Sequence, residues 1–184
     1  MNNARDPLAG RADDLARIAQ VTDGAVVLEH VPFLAQVNLR LDPWLADRAP
    51  YPLPVAPNTA WEDGPRAALW LGPDEWVILG PPDAGGEIVA KLDAALDGLH
   101  RSVVDVGANR VALEISGPGA REILSKGCAI DLHPRMWSPG MCAQSTLGKA
   151  QVILHERADT TGIAVRTSFA NYLVDWFAAA TGLS

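Results

Sequence analysis

The chain carries little that could perform chemistry. Its 184 residues include two cysteines, four histidines and three methionines. Cys128 and Cys142 do not form a CxxC pair, and no histidines stand at HxxxH spacing. The closely spaced donor pairs of a structural zinc site are therefore missing. There is no GxGxxG and no GxxxxGK[ST], so no nucleotide fingerprint. No stretch approaches the ~18 apolar residues of a membrane-spanning helix, and no basic run suits an anionic membrane. Positive charge is also in short supply: 15 Lys and Arg against 22 Asp and Glu give a formal charge of −7. Nucleic-acid binding needs clustered cations to displace counterions, and this balance argues against it. The first twenty residues lack an apolar h-region and are interrupted by Asp6, Asp13 and Asp14, so they do not read as a signal peptide. Two thiols without an export signal are expected to stay reduced in a cytoplasmic protein.

What is present belongs to a well-packed globular chain. Apolar residues make up 48% and charged residues 20%. At this length roughly 70% of the unfolded surface is buried on folding, enough for a core in one domain or two small ones. Residues 1–24 read as an N-terminal arm with one short helix. Residues 25–65 read as two strands (25–31 and 35–41) and a proline-rich arm, and 66–184 as an α+β core. Pro43, Pro50, Pro52, Pro54, Pro57 and Pro65 exclude regular helix and central strand, so the arm is expected to be extended. Further on, ALWL and EWVILG form a hairpin about the turn at 72–74, in which Trp70 and Trp76 face each other. A helix is expected over 86–99, a buried strand over 102–106 and an alternating strand over 110–116. Ser116-Gly117-Pro118 starts a helix that buries Ala120, Ile123 and Leu124. A loop over 128–141, three strands and a final helix capped by Ser168 complete the chain.

The candidates for chemistry read as structural when weighed one by one. Cys128, His133 and Cys142 lack the spacing of a metal site or a nucleophile–base pair. Gly117-Pro118-Gly119 precedes a helix as a phosphate loop would, but Pro118 removes an amide that would bind the anion. Asp105 and Asn109 suit the turn at Gly107. Asp74 and Glu75 are adjacent and would face opposite ways in a strand. His155 would point out of its strand and His100 would end a helix. These residues are spent on packing, as in a subunit rather than a free-standing enzyme.

Taken together, ALWLGPDEWVILGP (68–81), SVVDVGANRVALEISGPGAREILSKGCAIDLHP (102–134), CAQSTLGKAQVILHE (142–156) and SFANYLVDW (168–176) resemble the gamma subunit of heterotetrameric sarcosine oxidase. PLPVAPNTA (52–60) fits the same family, and residues before about 25 carry none of the likeness. More distantly, the same segments resemble the folate-binding aminomethyltransferase of the glycine cleavage system, the T-protein. The resemblance implies an α+β, T-protein-like fold of interleaved ferredoxin-like units. It also implies a non-catalytic subunit of a complex that demethylates sarcosine to glycine. Alpha, beta and delta subunits would be the partners, with FAD, FMN and NAD on the larger alpha and beta subunits and none on this chain. Where the T-protein has an acidic pair, the match places Lys149 and Ala150, so the folate carboxylate is missing. A stand-alone folate-binding or aminomethyltransferase-like protein is the alternative. The extended arm is expected to form an interface through Pro50, Tyr51, Pro52, Pro54, Pro57 and Trp61, although it could instead be a linker wrapped on its own domain.

Overall fold

The computed structural model describes residues 6–183. In chain order, the first half comprises α1 (Ala12–Val21), β1 (Val27–Val31), β2 (Ala35–Leu41), a 3-10 helix (Pro43–Arg48), β3 (Ala60–Asp63), β4 (Arg66–Gly72), β5 (Glu75–Gly80) and α2 (Gly85–Ala95). The second half comprises β6 (Arg101–Asp105), β7 (Arg110–Ser116), α3 (Ala120–Ser125), β8 (Cys142–Leu147), β9 (Ala150–Glu156), β10 (Thr160–Arg166), a 3-10 turn (Thr167–Phe169) and α4 (Ala170–Ala180).

These elements form two compact units. The first contains the described residues through Pro32, Asn109–Pro139 and the described residues from Gln144. Its sheet has the order β1-β7-β10-β9-β8. The alternation of Val111, Leu113 and Ile115 on β7 meets Val165, Ile163 and Thr161 of β10 in antiparallel register. Leu173, Val174 and Phe177 of α4 are buried, as are Leu15 and Ile18 of α1. Arg11 fastens the start of α1 to α4, pairing with Asp175 and donating to Asn171. The N-terminal helix is thus docked on its own unit.

The second unit contains Phe33–Ala108 and Gly140–Ala143. Its sheet has the order β3-β4-β5-β2-β6, with antiparallel registers throughout. Its core gathers Val37 and Leu39 of β2, Trp76 and Ile78 of β5, and Ile88, Leu92 and Leu96 in and just after α2. Trp70 lies directly opposite Trp76, as the hairpin reading requires.

Several local expectations need correcting. The strand at 102–106 is not buried: β6 has only β2 as a neighbour, and Ser102, Val104 and Asp105 are exposed at that edge. Helix α2 stops at Ala95 rather than near residue 99, because Gly98 turns the chain with a φ of +73°. His100 therefore lies outside the helix. Ser168 does not cap α4; it sits in the 3-10 turn, and no side chain caps the helix start. His155 does not point into solvent. Val152–Glu156 are all buried, so both faces of β9 are covered.

Candidate functional site

The extended arm is built by its own sequence. The Asp42 side chain accepts from the Trp44 amide at 3.0 Å, and Pro43 opens the 3-10 helix that ends β2. Beyond it the prolines hold the chain extended, and side chains alternate in and out. Tyr51 and Leu53 point inward and are 6% and 9% exposed within the unit's core, whereas Pro50 and Pro52 are exposed. The Trp76 indole donates to the Pro54 carbonyl at 2.7 Å and fixes the arm there. Pro54 is partly covered and Pro57 is exposed. Trp61 packs, half-buried, against the same core. The six interface candidates therefore divide: Tyr51, Trp61 and the Pro54 carbonyl anchor the arm, and Pro50, Pro52 and Pro57 face outward. A groove of about 560 Å³ runs beside them, lined by Ala46, Asp47, Pro50, Pro52, Leu53 and Val55 among others.

Two exposed side chains of this stretch escape a reading of the pattern alone. Trp44 is 89% exposed and Val55 64%. The Asp-Pro-Trp sequence announces a helix start, and that geometry turns the indole outward. Nothing in its spacing says that the indole stays uncovered.

A second cluster, in the first unit, centres on a buried carboxylate. Glu156 closes β9 and is 6% exposed. Its Oε1 accepts from Arg121 Nη2 at 2.6 Å, and its Oε2 accepts from Trp137 Nε1 at 2.8 Å and Thr161 Oγ1 at 2.5 Å. Arg121 also donates to the carbonyls of Leu132 and Trp137. A buried carboxylate with three such donors is satisfied rather than poised. It ties the irregular segment 128–141 to α3 and the sheet. The adjoining recess, lined by Ser116, Arg121, Glu156 and Thr161 among others, holds about 200 Å³. Ligand pockets usually run to about 300–1,000 Å³. This cluster is not legible in the sequence, since its members are spread from Arg121 to Thr161 and follow no period.

The remaining candidates are also engaged locally. Cys142 Sγ donates to the carbonyls of Thr59 at 3.2 Å and Trp70 at 3.3 Å, and burial pushes the thiol up to about 11. It stays protonated and poorly nucleophilic near neutral pH. Cys128 Sγ lies 3.6 Å from Ser145 Oγ. His133 Nδ1 accepts from the Arg135 amide, and Asp131 accepts from the His133 amide. Burial, with Arg157 nearby, pulls His155 down to about 4. Among the described residues, no three His, Cys, Asp or Glu side chains gather where one ion could be held. Asp74 and Glu75 do converge, contrary to the alternation argument: Asp74 lies in the turn, so both carboxylates reach Arg40, Glu75 at 2.7 Å. A Cβ on Gly117 would meet the Ala25 carbonyl oxygen at 2.5 Å, and the Gly119 amide donates to that oxygen at 2.8 Å. The Gly-Pro-Gly turn thus serves packing. Lys149 is exposed and Ala150 buried at the β8–β9 hairpin, with no carboxylate at either position.

Comparison with known proteins adds a consistent set of likenesses. The model of the "Sarcosine oxidase, gamma subunit family" matches residues 48–182. Sarcosine oxidase subunit gamma from an Arthrobacter species is 33% identical over 94% of this chain and 87% of its own length. The subunit from Corynebacterium sp. strain P-1 is 35% identical with the same coverage. Among solved structures, heterotetrameric sarcosine oxidase from Corynebacterium sp. U-96, in complex with pyrrole 2-carboxylate, superposes with a TM-score of 0.85. That match has 30% identity and covers 97% of this chain and 94% of that one. The glycine cleavage system aminomethyltransferase T from Bartonella henselae superposes with a TM-score of 0.65 at 13% identity, over 90% of this chain and 48% of that one. This second likeness is one of fold. The α+β, T-protein-like architecture expected from the sequence is the one observed.

Proposed function

This chain belongs to the sarcosine oxidase gamma subunit family, and from that premise we propose that it is the non-catalytic, assembly-supporting subunit of a sarcosine-oxidising heterotetramer. The assembly would convert sarcosine, dioxygen and water to glycine, formaldehyde and hydrogen peroxide, or pass the one-carbon unit to tetrahydrofolate as 5,10-methylenetetrahydrofolate. Alpha, beta and delta subunits are its partners, FAD, FMN and NAD reside on alpha and beta, and the complex works in the cytoplasm.

One contrast carries this reading. The groups that could react are engaged within the fold: Glu156 is saturated and Cys142 is held as a thiol. Among the described residues, exposed apolar side chains recur along one stretch, at Trp44, Pro50, Pro52, Val55 and Pro57, and Trp44 is the barest; Val21, Phe33, Val104, Met136 and Phe169 are exposed outside it. Exposed apolar patches rimmed by polar residues are typical of interaction sites. The arm is already ordered by Tyr51, Leu53 and Trp76, so docking it costs little further entropy.

A folate-binding protein that acts alone is the competing reading. The recess of about 200 Å³ beside Glu156 and the Lys149-Ala150 pair count against it. Co-expression with the flavin-bearing subunits tests the proposal. The chain should co-purify with them, and replacing only the outward residues Pro50, Pro52, Val55 and Pro57 by Gly/Ser, with Tyr51 and Leu53 kept in the core, should weaken that association while the chain stays folded. Full-stoichiometry assembly by the replaced chain would exclude the arm as interface. A lone monomer that binds tetrahydrofolate would support the alternative.

A further inference from the structure

Among the described residues, Trp44 is the most exposed large apolar side chain. Large aromatics are seldom left so bare without purpose, and Trp is the residue type most enriched at the energetic centres of interfaces. Its backbone is not loose: the amide donates to Asp42 and Pro43 fixes the preceding turn. The indole is therefore presented from a rigid base. Beside the 3-10 helix that carries it runs the groove between Ala46 and Val55, whose outer margin adds Pro50, Pro52 and Val55. The charges along this stretch are mostly of one sign. Asp42, Asp47, Glu62 and Asp63 are exposed, with Arg48 the exposed cation among them.

Resting on the subunit reading above, we propose that Trp44 is the anchor of the interface: its indole enters an apolar pocket on another subunit of the oxidase, and that pocket has a basic rim. The occupant of the groove is that same subunit surface. The apolar pocket supplies the desolvated centre that a hot-spot tryptophan needs. The basic rim answers the carboxylates along 42–63, and rim charges of this kind make association sensitive to salt.

The experiment uses the full chain co-expressed with the flavin-bearing subunits, with the apparent Kd of the assembly measured by sedimentation at several salt concentrations. Trp44→Ala should weaken association at least tenfold, while Trp44→Phe recovers most of it. The melting temperature of Trp44→Ala should be unchanged, since the indole touches little of its own unit. Asp47→Lys should weaken association several-fold and flatten its salt dependence. Met136→Ala, which removes an exposed apolar side chain from the other unit, should leave association unchanged. Association of Trp44→Ala within twofold of the parent overturns the anchor, as does a Trp44-dependent dimer of the chain alone. Indifference to salt and to Asp47→Lys overturns the basic rim. If Trp44→Ala assembles normally but the Gly/Ser arm replacement does not, the anchor fails and the subunit reading stands. If the unaltered chain does not assemble with the flavin-bearing subunits, both fail.

Discussion

Two regions of this molecule treat polarity in opposite ways. Around Glu156 a full charge is buried, and each carboxylate oxygen is met by donors from Arg121, Trp137 and Thr161. Around Trp44 a large apolar surface is held out in water by a well-made turn. A catalytic site would normally show the first feature left incomplete, with a charged group short of a partner or a shifted acid beside a cavity. Here the buried charge is complete, and a large apolar side chain is left uncovered outside. The comparison therefore separates what holds the chain together from what it offers to others.

The strongest way to break the comparison is to remove the buried charge. Glu156→Ala should cost about 3–5 kcal/mol, chiefly because Trp137 and Thr161 are left as buried donors without an acceptor, while Arg121, about a third exposed, loses its ion partner but keeps access to water. Urea denaturation of the full chain measures this, and a loss below about 1 kcal/mol would mean that the cluster is not structural. Next comes Leu124→Ala, which tests the helix that places Arg121. Leu124 is buried on α3, and truncation should lower stability by about 2–5 kcal/mol. An unchanged denaturation midpoint would show that this helix face does not carry the packing.

The third expectation concerns pH. Folded His155 titrates near 4 against its ordinary 6.5, first because burial disfavours the cation and then because Arg157 repels it. Between those values the unfolded chain binds a proton that the folded chain refuses. Stability from this group is therefore complete above about pH 6.5 and declines as pH falls toward 4, by about 3 kcal/mol in total. Comparing urea midpoints at pH 7 and 4.5, the parent should lose about 2–3 kcal/mol more than His155→Gln. Equal losses would mean that His155 is protonated in the fold. The smallest effect is expected at the exposed region: Trp44→Ala should change the stability of the chain by no more than about 0.5 kcal/mol. A larger loss would make the indole part of the fold and erase the contrast.

How much of this could be read from residue order depended on how local each feature is. Alternation in β2 and β7, the Gly-Pro-Asp turn with Trp70 facing Trp76, and the helix burying Ile123 and Leu124 rest on neighbours a few residues apart, and they were legible. The edge position of β6 was not, because two consecutive valines read alike whether a strand has one neighbour or two. The His155 reading fails for a related reason: alternation assumes one wet face, and β9 has none over Val152–Glu156. For the arm, the prolines announced an extended chain, but the division into inward Tyr51 and Leu53 and outward Pro50 and Pro52 depends on the core beneath. The Glu156 cluster joins residues from α3, the loop, β9 and β10, and no short-range pattern marks such a meeting. The family resemblance extended well past these limits, since order and spacing over many segments carry information that no single segment holds.

The central claim is that this chain contributes assembly and no chemistry of its own. Native mass spectrometry of the co-expressed complex, with sarcosine-dependent peroxide formation measured on the same samples, tests it most directly. The account predicts that the chain is present in the complex, and that the chain released from it has the mass of its polypeptide alone, is colourless and forms no peroxide from sarcosine. Release of the chain with a flavin bound, or peroxide formation by the chain alone, would contradict it.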